Sequence, residues 1–577
     1  MTNLQGIEAQ IERVDDLPLL YGLLKQMGIQ SVVDSVIEPH GNWQGLSAGR
    51  VITIWLLHIL SEQSHLMEPV QDWVQKHLVM LRGLSHRRLA VLDFSDDRLA
   101  LCLHYLYASA NWQAIEERLG VRLIRVYDLQ KSLLRLDASV NTVSHDPEKH
   151  TLFQVGKAKN GLYETQFKTM LASLDPLGLP VAVDVVVGNR ADDPLYVPIY
   201  LRAKSILACS GLLVVGDCKM SALLTRGTMV AGQDRYLTPL DYLKSDPALL
   251  SNLLTEWQAR AELPTLVCLP EEMPAAGSLP DPSLAIAAGF EVKRIQNTTV
   301  DGLSVTWAER LLVVRSFSYV KSMQTSLHQR LDKAEAALRD LTPSRQRGKR
   351  QIADEASLRS AIERIEKQYR VRGLFDLDFD CQRSERQVRG YQGQPPRVER
   401  QVRYQLHIAR NAQAIAAAEF EAGWRIYVTN APADSLCLSQ AVLAYRDQYI
   451  EENIFRRLQG KFLSITPLYI QRDDHAQGLV HLLSLAARLL ALGDYLARQA
   501  LAKQADVLSG IYAGNPKRGT ARPTTERMLR AFKGIDLLIL HTADQAAHFL
   551  TALSPVQKRI LELLGLDLSI YNDLQSA

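Results

Sequence analysis

Residues 133–143, LLRLDASVNTV, mark the point at which the 577-residue sequence changes from a helical to a strand-like hydrophobic pattern. Three further apolar segments follow, namely 166–175 (QFKTMLASLD), 179–189 (LPVAVDVVVGN) and 212–221 (LLVVGDCKMS). Each is bounded by Gly, Pro or Asp, which predicts strands. Residues 196–208, YVPIYLRAKSILA, predict a helix between the third and fourth strands. Three consecutive strands, a crossover helix and a fourth strand indicate an α/β sheet.

The regions around this sheet have different patterns. In residues 1–115, apolar residues recur at helical spacing between glycine-containing turns, which predicts an all-helical N-terminal domain. A helix-turn-helix and a plain helical bundle fit this pattern equally well. We assign 130–230 to the first part of the α/β core and 231–420, which mixes strand-like segments with two long polar helices, to a separate region. Residues 421–505 return to the core, and 506–577 are predicted to be helical.

Composition is that of a globular protein. Hydrophobic residues make up 47% and charged residues 22%, and the net charge of +3 gives no molecule-wide field that would attract nucleic acid. The six cysteines lack the spacing of a zinc site or a disulfide framework. The first residues lack the apolar core of a signal peptide, and charged residues interrupt the apolar runs. We therefore expect a cytoplasmic protein without a membrane partner.

Two aspartates lie at the ends of predicted strands. Asp137 lies at the edge of the first apolar segment, and Asp217 directly follows the fourth. A single aspartate at such a position is more often a turn former, but side chains at the carboxyl ends of strands in α/β sheets point toward the ligand crevice. Asp184, in the middle of a predicted strand, is a less favoured further acid. Asp192 and Asp193 are interpreted as turn residues.

A later segment adds a glutamate to these acids. Residues 445–458, YRDQYIEENIFRRL, contain no Pro or Gly, and Tyr445, Tyr449 and Glu452 recur at i, i+4 and i+7. This spacing predicts one helix with the three side chains on one stripe. We expect Glu452 to face inward and Glu451 to lie on the polar side. A surface position for Glu452 is the alternative, because a buried glutamate needs a paired charge or a metal.

Three such carboxylates predict metal-dependent chemistry. Two aspartates and a glutamate can hold two divalent cations through oxygen ligands, and two metals can clamp the attacking and leaving oxygens of a phosphodiester. We therefore predict two Mg²⁺ ions, with Mn²⁺ as a substitute, at Asp137, Asp217 and Glu452. No nucleotide cofactor is predicted, because the Gly514 to Thr520 segment lacks the lysine of a phosphate-binding loop.

A basic stretch within residues 345–410 predicts an arm that contacts DNA phosphates. The residues assigned to this role at its start are Arg345, Arg347, Lys349 and Arg350. A solvated charged surface without a ligand is the alternative interpretation.

Four segments together resemble bacterial insertion-sequence transposases of the DDE type, in the sixteen-thirty-four group of the insertion-sequence-four superfamily. They are LLRLDASVNTV, DPLGLPVAVDVVVGNRADD, LLVVGDCKMS, and WRIYVTN followed by YRDQYIEENIFRRLQGK. The resemblance implies an α/β fold with an RNase H-like catalytic core interrupted by a β-rich insertion domain. It also implies an all-helical N-terminal domain, and the sequence pattern adds a helical C-terminal region after the core.

The signature helix of that family reads Tyr, two residues, Arg, three residues, Glu, six residues, Lys. Tyr445 and Glu452 match it, whereas Gln448 and Gln459 stand at the arginine and lysine positions. Nearby cations are expected to supply the missing charge. The predicted DNA contacts on this segment are Tyr445, Gln448, Arg456 and Lys461.

The resemblance implies a transposase that cuts the terminal inverted repeats of its own element and joins the 3′ ends to target DNA. Relatives stack an aromatic residue on a flipped base, so Trp424 and Trp307 are assigned to DNA, with buried packing as the alternative. We expect a homodimer in the DNA complex and association with the bacterial nucleoid. A nuclease or resolvase without strand transfer, and a non-catalytic DNA-binding protein, are the alternative functions.

Overall fold

Helices and strands alternate through the computed structural model, which describes residues 8–242, 245–272, 281–343, 352, 354–388, 397–541 and 546–575. The helices are α1 (Leu17–Met27), α2 (Ile29–Asp34), α3 (Ala48–Glu62), α4 (Val70–Lys76), α5 (Leu78–Ser85), α6 (Asp96–Tyr107), α7 (Ser109–Tyr127), α8 (Tyr196–Leu207), α9 (Leu223–Ala231), α10 (Leu249–Arg260), α11 (Phe317–Arg339), α12 (Glu355–Tyr369), α13 (Ala412–Glu421), α14 (Leu438–Arg446), α15 (Tyr449–Gln459), α16 (Asp473–Gln504), α17 (Thr525–Arg530), α18 (Pro555–Leu563) and α19 (Ser569–Asn572). The strands are β1 (Glu8–Arg13), β2 (Leu133–Thr142), β3 (Gln154–Lys157), β4 (Tyr163–Leu174), β5 (Leu179–Val187), β6 (Leu213–Gly216), β7 (Arg235–Pro239), β8 (Thr265–Val267), β9 (Ala287–Val300), β10 (Leu303–Ser316), β11 (Phe375–Val388), β12 (Arg397–Arg410), β13 (Trp424–Thr429), β14 (Asp536–His541) and β15 (Ala546–Leu550).

The chain divides into two units. Unit 1 comprises Met1–Thr238, Ile295–Trp307 and Ala444–Ala577, and unit 2 comprises Pro239–Arg294 and Ala308–Leu443. The predicted N-terminal domain and the predicted first part of the core, up to Thr238, therefore belong to unit 1. β13 and most of α14, which lie within the predicted second part of the core at 421–505, fall in unit 2.

The main sheet of unit 1 is built around β2. β2 pairs antiparallel with β4, and β4 pairs antiparallel with both β3 and β5. After the crossover helix α8, β6 pairs parallel with β2, and β7 pairs parallel with β6. The order β5–β4–β2–β6–β7 confirms the predicted α/β sheet, with the crossover helix between the third and fourth predicted strands. The three predicted strands before that helix are not consecutive, because the short strand β3 lies between β2 and β4.

α16 is the central helix of unit 1. Its side chains are buried along most of its length, and it packs against α6 and β5. Length and composition alone would let α16 cross a membrane, but 89% of its most apolar window is buried inside the protein. A helix that is apolar all round is expected in the core of a large domain.

Two expectations for unit 1 are wrong. The N-terminal domain is not all-helical, because β1 precedes α1, and the C-terminal region is not purely helical, because it contains β14 and β15. β1 pairs antiparallel with β14, and β14 with β15, in a small sheet of three strands. Its strands are short and come from opposite ends of the sequence, so the local hydrophobic pattern does not predict that they pair.

Unit 2 is mixed rather than β-rich, which corrects the insertion domain expected from the resemblance. Among its described residues, β8 pairs with β9, β10 pairs with β13, and β11 pairs with β12, all antiparallel. The helices α11 and α12 and the hairpin β11–β12 enclose a hydrophobic core of their own. Its buried residues are Leu327, Leu331, Ala334, Leu338, Ile365, Val371, Phe375 and Leu406.

A buried ionic network joins α7, α8, β5 and α16 in unit 1. Glu116 is fully enclosed and accepts hydrogen bonds from Arg488 Nη2 at 2.9 Å and from the backbone N–H of Val183 at 2.8 Å. Arg202 Nε lies 3.1 Å from the second Glu116 oxygen, and Arg202 Nη1 donates to Asp184 Oδ1 at 2.5 Å. Asp184 is thus held in an ion pair, which agrees with its low rank as a metal ligand.

We expect Arg488→Ala to lower the free energy of unfolding by about 3–5 kcal/mol, because it leaves Glu116 buried beside fewer compensating charges. Urea denaturation followed by tryptophan fluorescence measures the change. The matched control is Arg472→Ala, which removes an exposed arginine paired with Asp474 at the start of α16 and should change stability little. Equal effects of the two substitutions would contradict a structural role for the network.

Candidate active site

The parallel pairing of β2 and β6 brings two aspartates together at the carboxyl end of β6, which we call the acidic edge. Leu136 on β2 is opposite Gly216 on β6, so Asp137 and Asp217, the residues that follow, are neighbours. Asp217 directly follows β6 as expected, but the strand-end position expected of Asp137 is wrong, because β2 continues to Thr142. Asp217 also begins a short helical turn, where its Oδ1 accepts the backbone N–H of Lys219 at 2.9 Å. The structure therefore brings together the two aspartates singled out in the sequence.

Asp137 lies in an electrostatically unfavourable position. Burial raises the pKa of Asp137 to about 7, and the negative charges of Asp217 and Glu452 add to this increase. The backbone N–H of Ala138 and the ammonium group of Lys159 oppose it. A carboxyl group whose pKa is moved this far by burial and by neighbouring acids is typical of a functional site.

Tyr196 is a site residue that the sequence analysis missed. It is the first residue of α8, it is buried, and its hydroxyl donates to Asp217 Oδ1 at 2.5 Å. Burial and the nearby charges of Asp217 and Asp137 raise the pKa of the phenol well above its usual value, so it remains a donor. Tyr200, one turn later, donates to Asp234 Oδ2 at 2.6 Å. Two tyrosines at i and i+4 at the start of the crossover helix were the available sequence signal.

The segment 445–458 is not one helix. α14 ends at Arg446 and α15 begins at Tyr449. Across the junction, the N–H of Gln448 donates to the carbonyl of Tyr445, three residues back, so the geometry tightens locally. The faces of α14 do not continue into α15, and the side chain of Tyr449 is 48% exposed. The predicted stripe of Tyr445, Tyr449 and Glu452 is therefore wrong.

Glu451, and not Glu452, faces the interior. Glu451 is 0% exposed, whereas Glu452 is exposed, so the inward orientation predicted for Glu452 is wrong. Burial raises the pKa of Glu451 well above its usual value; Asp137 adds to the increase and Arg135 opposes it. Within the described part of the chain, neither carboxylate oxygen of Glu451 has a hydrogen-bond partner.

The apolar residues of α15 carried the correct register. The buried residues of this helix, besides Glu451, are Ile454, Phe455 and Leu458. They follow Glu451 at i+3, i+4 and i+7, which is the spacing of one helical face. Because the predicted face was carried across the break from Tyr445, it assigned the inward position to Glu452 instead of Glu451.

The end of α15 is fixed to β2 next to the acids. Gln459 Nε2 donates to Ser139 Oγ at 2.9 Å, to the carbonyl of Val140 at 3.0 Å and to Asn141 Oδ1 at 3.0 Å. Lys159 Nζ donates to the same Ser139 Oγ at 3.2 Å, and its side chain is exposed. Lys159 thus places a positive charge beside the acidic edge, and the sequence analysis had not singled it out.

The other residues predicted to contact DNA differ in how exposed they are. Arg456 and Lys461 are exposed in unit 1, and Tyr445 and Gln448 are half-buried there. The four cations Arg345, Arg347, Lys349 and Arg350 lie outside the described residues.

Both tryptophans assigned to base stacking are buried by protein. In unit 2, Trp424 packs edge-on against Trp257 and Phe290, with ring centroids 5.8 and 5.9 Å away. In unit 1, Trp307 Nε1 donates to the hydroxyl of Tyr236 at 2.7 Å. Because both side chains take part in packing, we follow the packing interpretation and no longer assign them to DNA.

Comparison with known proteins finds one family model over the N-terminal part of the chain. Residues 9–117 match the family model described as "Domain of unknown function (DUF4277)". None of the curated proteins matches the chain. Among solved structures, the chain is similar to the piggyBac transposase in a synaptic complex with hairpin DNA, with 8% identity and a TM-score of 0.34. That alignment covers 86% of this chain and 79% of the other.

The raised pKa of Asp137 predicts a specific dependence of stability on pH. The folded protein holds this proton more tightly than the unfolded chain, whose carboxyl titrates near 3.8, so stability is lost as pH rises from there to about 7. We expect Asp137→Asn to raise the Tm of metal-free protein at pH 8 by at least about 2 °C, and to leave it nearly unchanged at acidic pH.

Differential scanning fluorimetry in EDTA at a series of pH values measures this difference. The exposed Asp573 provides the control substitution Asp573→Asn, whose difference from wild type should not grow with pH. A Tm difference for Asp137→Asn that is independent of pH would argue against the unbalanced negative charge at this edge.

Proposed function

We propose that the chain is a DNA transposase that cleaves DNA and transfers the freed 3′ ends by metal-dependent phosphodiester chemistry. The observation that carries this proposal is the meeting of Asp137 and Asp217 on adjacent parallel strands, with the glutamates of α15 at the same edge. The order β5–β4–β2–β6–β7 is also the arrangement expected of the RNase H-like core implied by the sequence resemblance.

Divalent cations fit the chemistry of this edge. In the described part of the chain, no three His, Cys, Asp or Glu side chains stand ready to hold a metal ion, so binding would require side-chain adjustment. The donors are nonetheless all carboxylate oxygens, as Mg²⁺ prefers. The raised pKa of Asp137 also reflects an excess of negative charge that a cation would neutralise. We infer that two Mg²⁺ ions, or Mn²⁺, would bind here.

We propose Asp137, Asp217 and Glu452 as the metal-binding residues. Mg²⁺ usually keeps several water ligands in protein sites, so it favours carboxylates that are open to solvent. Glu452 is exposed and its charge reaches Asp137, whereas Glu451 is fully enclosed. The assignment of Glu452 also follows the spacing of the family signature. Glu451 would then be a positioning residue beneath the site.

The protein residues around the metals would orient the reactants. The bound ions would supply an activated water and stabilise the departing 3′ oxygen. Tyr196 fixes one oxygen of Asp217 through its hydroxyl, which leaves the other oxygen for a metal. The exposed cations Lys159, Arg456 and Lys461 would bind the phosphates of the strand that is cut. No side-chain nucleophile is required.

The substrates under this proposal are the terminal inverted repeats of the protein's own element and the target DNA. Cleavage and strand transfer act on two DNA ends, so a homodimer on DNA is the expected assembly. The proposal places the protein in the cytoplasm, where it meets the bacterial nucleoid.

The first test separates metal-dependent cleavage from DNA binding. We expect Asp137→Asn and Asp217→Asn to remove cleavage of a labelled inverted-repeat end in Mg²⁺, a loss above the ~10–100-fold typical of outer-sphere changes. Both variants should bind the same DNA nearly as wild type in a metal-free gel shift, because affinity comes from contacts between cations and phosphates. Ca²⁺ should not support cleavage. Undiminished cleavage in EDTA would refute the proposal.

The second test distinguishes the two glutamates. We expect Glu452→Gln to abolish cleavage because it removes a metal-binding carboxylate, while Glu451→Gln keeps most of the activity. Glu451→Gln should also leave the Tm of metal-free protein unchanged or higher, because glutamine resembles the neutral acid that burial favours. Cleavage assays and thermal melts on both purified variants measure this. The reverse pattern of activity would make Glu451 the metal-binding residue.

A further inference from the structure

The hairpin β11–β12 of unit 2 extends beyond the core that supports it. On one face of β11, Phe375, Leu377 and Phe379 alternate with aspartates and pack toward α11 and α12. Tyr404 and Leu406 of β12 are buried on the same face. This alternation of apolar and polar residues is typical of a half-buried strand. It is confined to the half of the hairpin that lies next to the core.

Beyond the pair Cys381–Tyr404 the hairpin is mostly polar: of residues 382–388 and 397–403, only three, all valines, are apolar. Gln382, Arg383 and Ser384 on β11 are exposed, and so is Arg403 on β12. The pairing nevertheless continues to Val388–Arg397, seven residues past Cys381, which is about 23 Å at about 3.3 Å per residue. An isolated two-stranded ribbon is marginally stable in water, and the side chains that the structure describes at 382–385 and 403 are exposed, so their packing does not account for this length.

Charge is separated along the hairpin. Residues 375–381 and their partners 404–410 together contain three aspartates and one arginine, a net charge of −2 with histidine neutral (one minus three), whereas 382–388 and 397–403 together contain five arginines and two glutamates, a net charge of +3 (five minus two). We call these last two segments the distal ribbon. A positively charged ribbon that projects from an acidic base is complementary to a polyanion.

We propose that the distal ribbon inserts into the major groove of duplex DNA. This groove is about 12 Å wide and admits a two-stranded ribbon, whose strands lie about 5 Å apart. Gln382 is opposite Arg403 and Arg383 is opposite Val402, so the two arginines lie on opposite faces of the ribbon. In a groove, they would reach the phosphates of both walls. The inference rests on the proposed function, since it takes DNA as the ligand.

The test compares two double variants of the full-length protein. We expect Arg383→Gln/Arg403→Gln to weaken binding of a labelled random-sequence DNA duplex and to reduce the slope of log K against log salt by up to ~1.8, or ~0.9 per phosphate contact. The control is Arg339→Gln/Arg359→Gln, which removes two exposed arginines already paired with Glu335 and Glu355. The control should keep the wild-type slope. Fluorescence anisotropy in EDTA measures both.

A modified probe tests the groove. Methylation of guanine N7, an acceptor in the major groove, should weaken wild-type binding and have less effect on Arg383→Gln/Arg403→Gln. A wild-type affinity and slope in that variant would overturn the groove proposal and leave the transposase proposal standing. Failure of the wild-type protein to bind duplex DNA would overturn both. A changed oligomeric state with unchanged DNA affinity, measured by sedimentation, would make the distal ribbon a self-association element and also overturn the inference.

Discussion

The parallel pairing of β2 with β6 is the constraint on which the rest of unit 1 depends. It can form only if the crossover through α8 returns the chain beside its first strand, and it sets Leu136 opposite Gly216. A β-carbon at Gly216 would lie 2.6 Å from the sulfur of Met220 and 3.1 Å from the carbonyl oxygen of Leu136, so no larger side chain fits without movement. This tight turn holds the carboxylate of Asp217 beside β2, against the mutual repulsion of the acids.

Stability elsewhere in unit 1 offsets this local cost. The ionic network around Glu116 and the long buried helix α16 connect the N-terminal helices to the sheet. The surrounding structure must be rigid, because the repulsion between like charges held close together favours a local rearrangement that would separate them. Tyr196 plays a comparable part at short range, since its hydroxyl partly compensates the charge of Asp217. The acidic edge is therefore an electrostatically unfavourable feature supported by well-packed neighbours.

The sequence was sufficient to predict an element where a single local hydrophobic pattern determines its structure. β2, β4, β5 and β6 are apolar runs between turn residues, and Asp217 directly follows β6 as expected, although Asp137 lies inside β2 and not at its end. It failed where two patterns compete over a few residues. The break at Asp447 and Gln448 carries neither Pro nor Gly, so Tyr445 and Tyr449 appeared to share a face with Glu452, although Ile454 and Leu458 already marked Glu451 as inward. Lys159 is placed by tertiary structure alone.

The pairing of β1 with β14 has a consequence for how the protein is made. Glu8 lies opposite His541, 533 residues later in the sequence. During synthesis β1 therefore waits without its partner until almost all of the chain has been translated, and its backbone hydrogen-bonding groups stay open to other strands during that time. Four of its six residues are charged or amide-bearing, a composition that discourages aggregation through such an edge. Closure of this small sheet marks a late step in folding, after the helices between the two strands can already have formed.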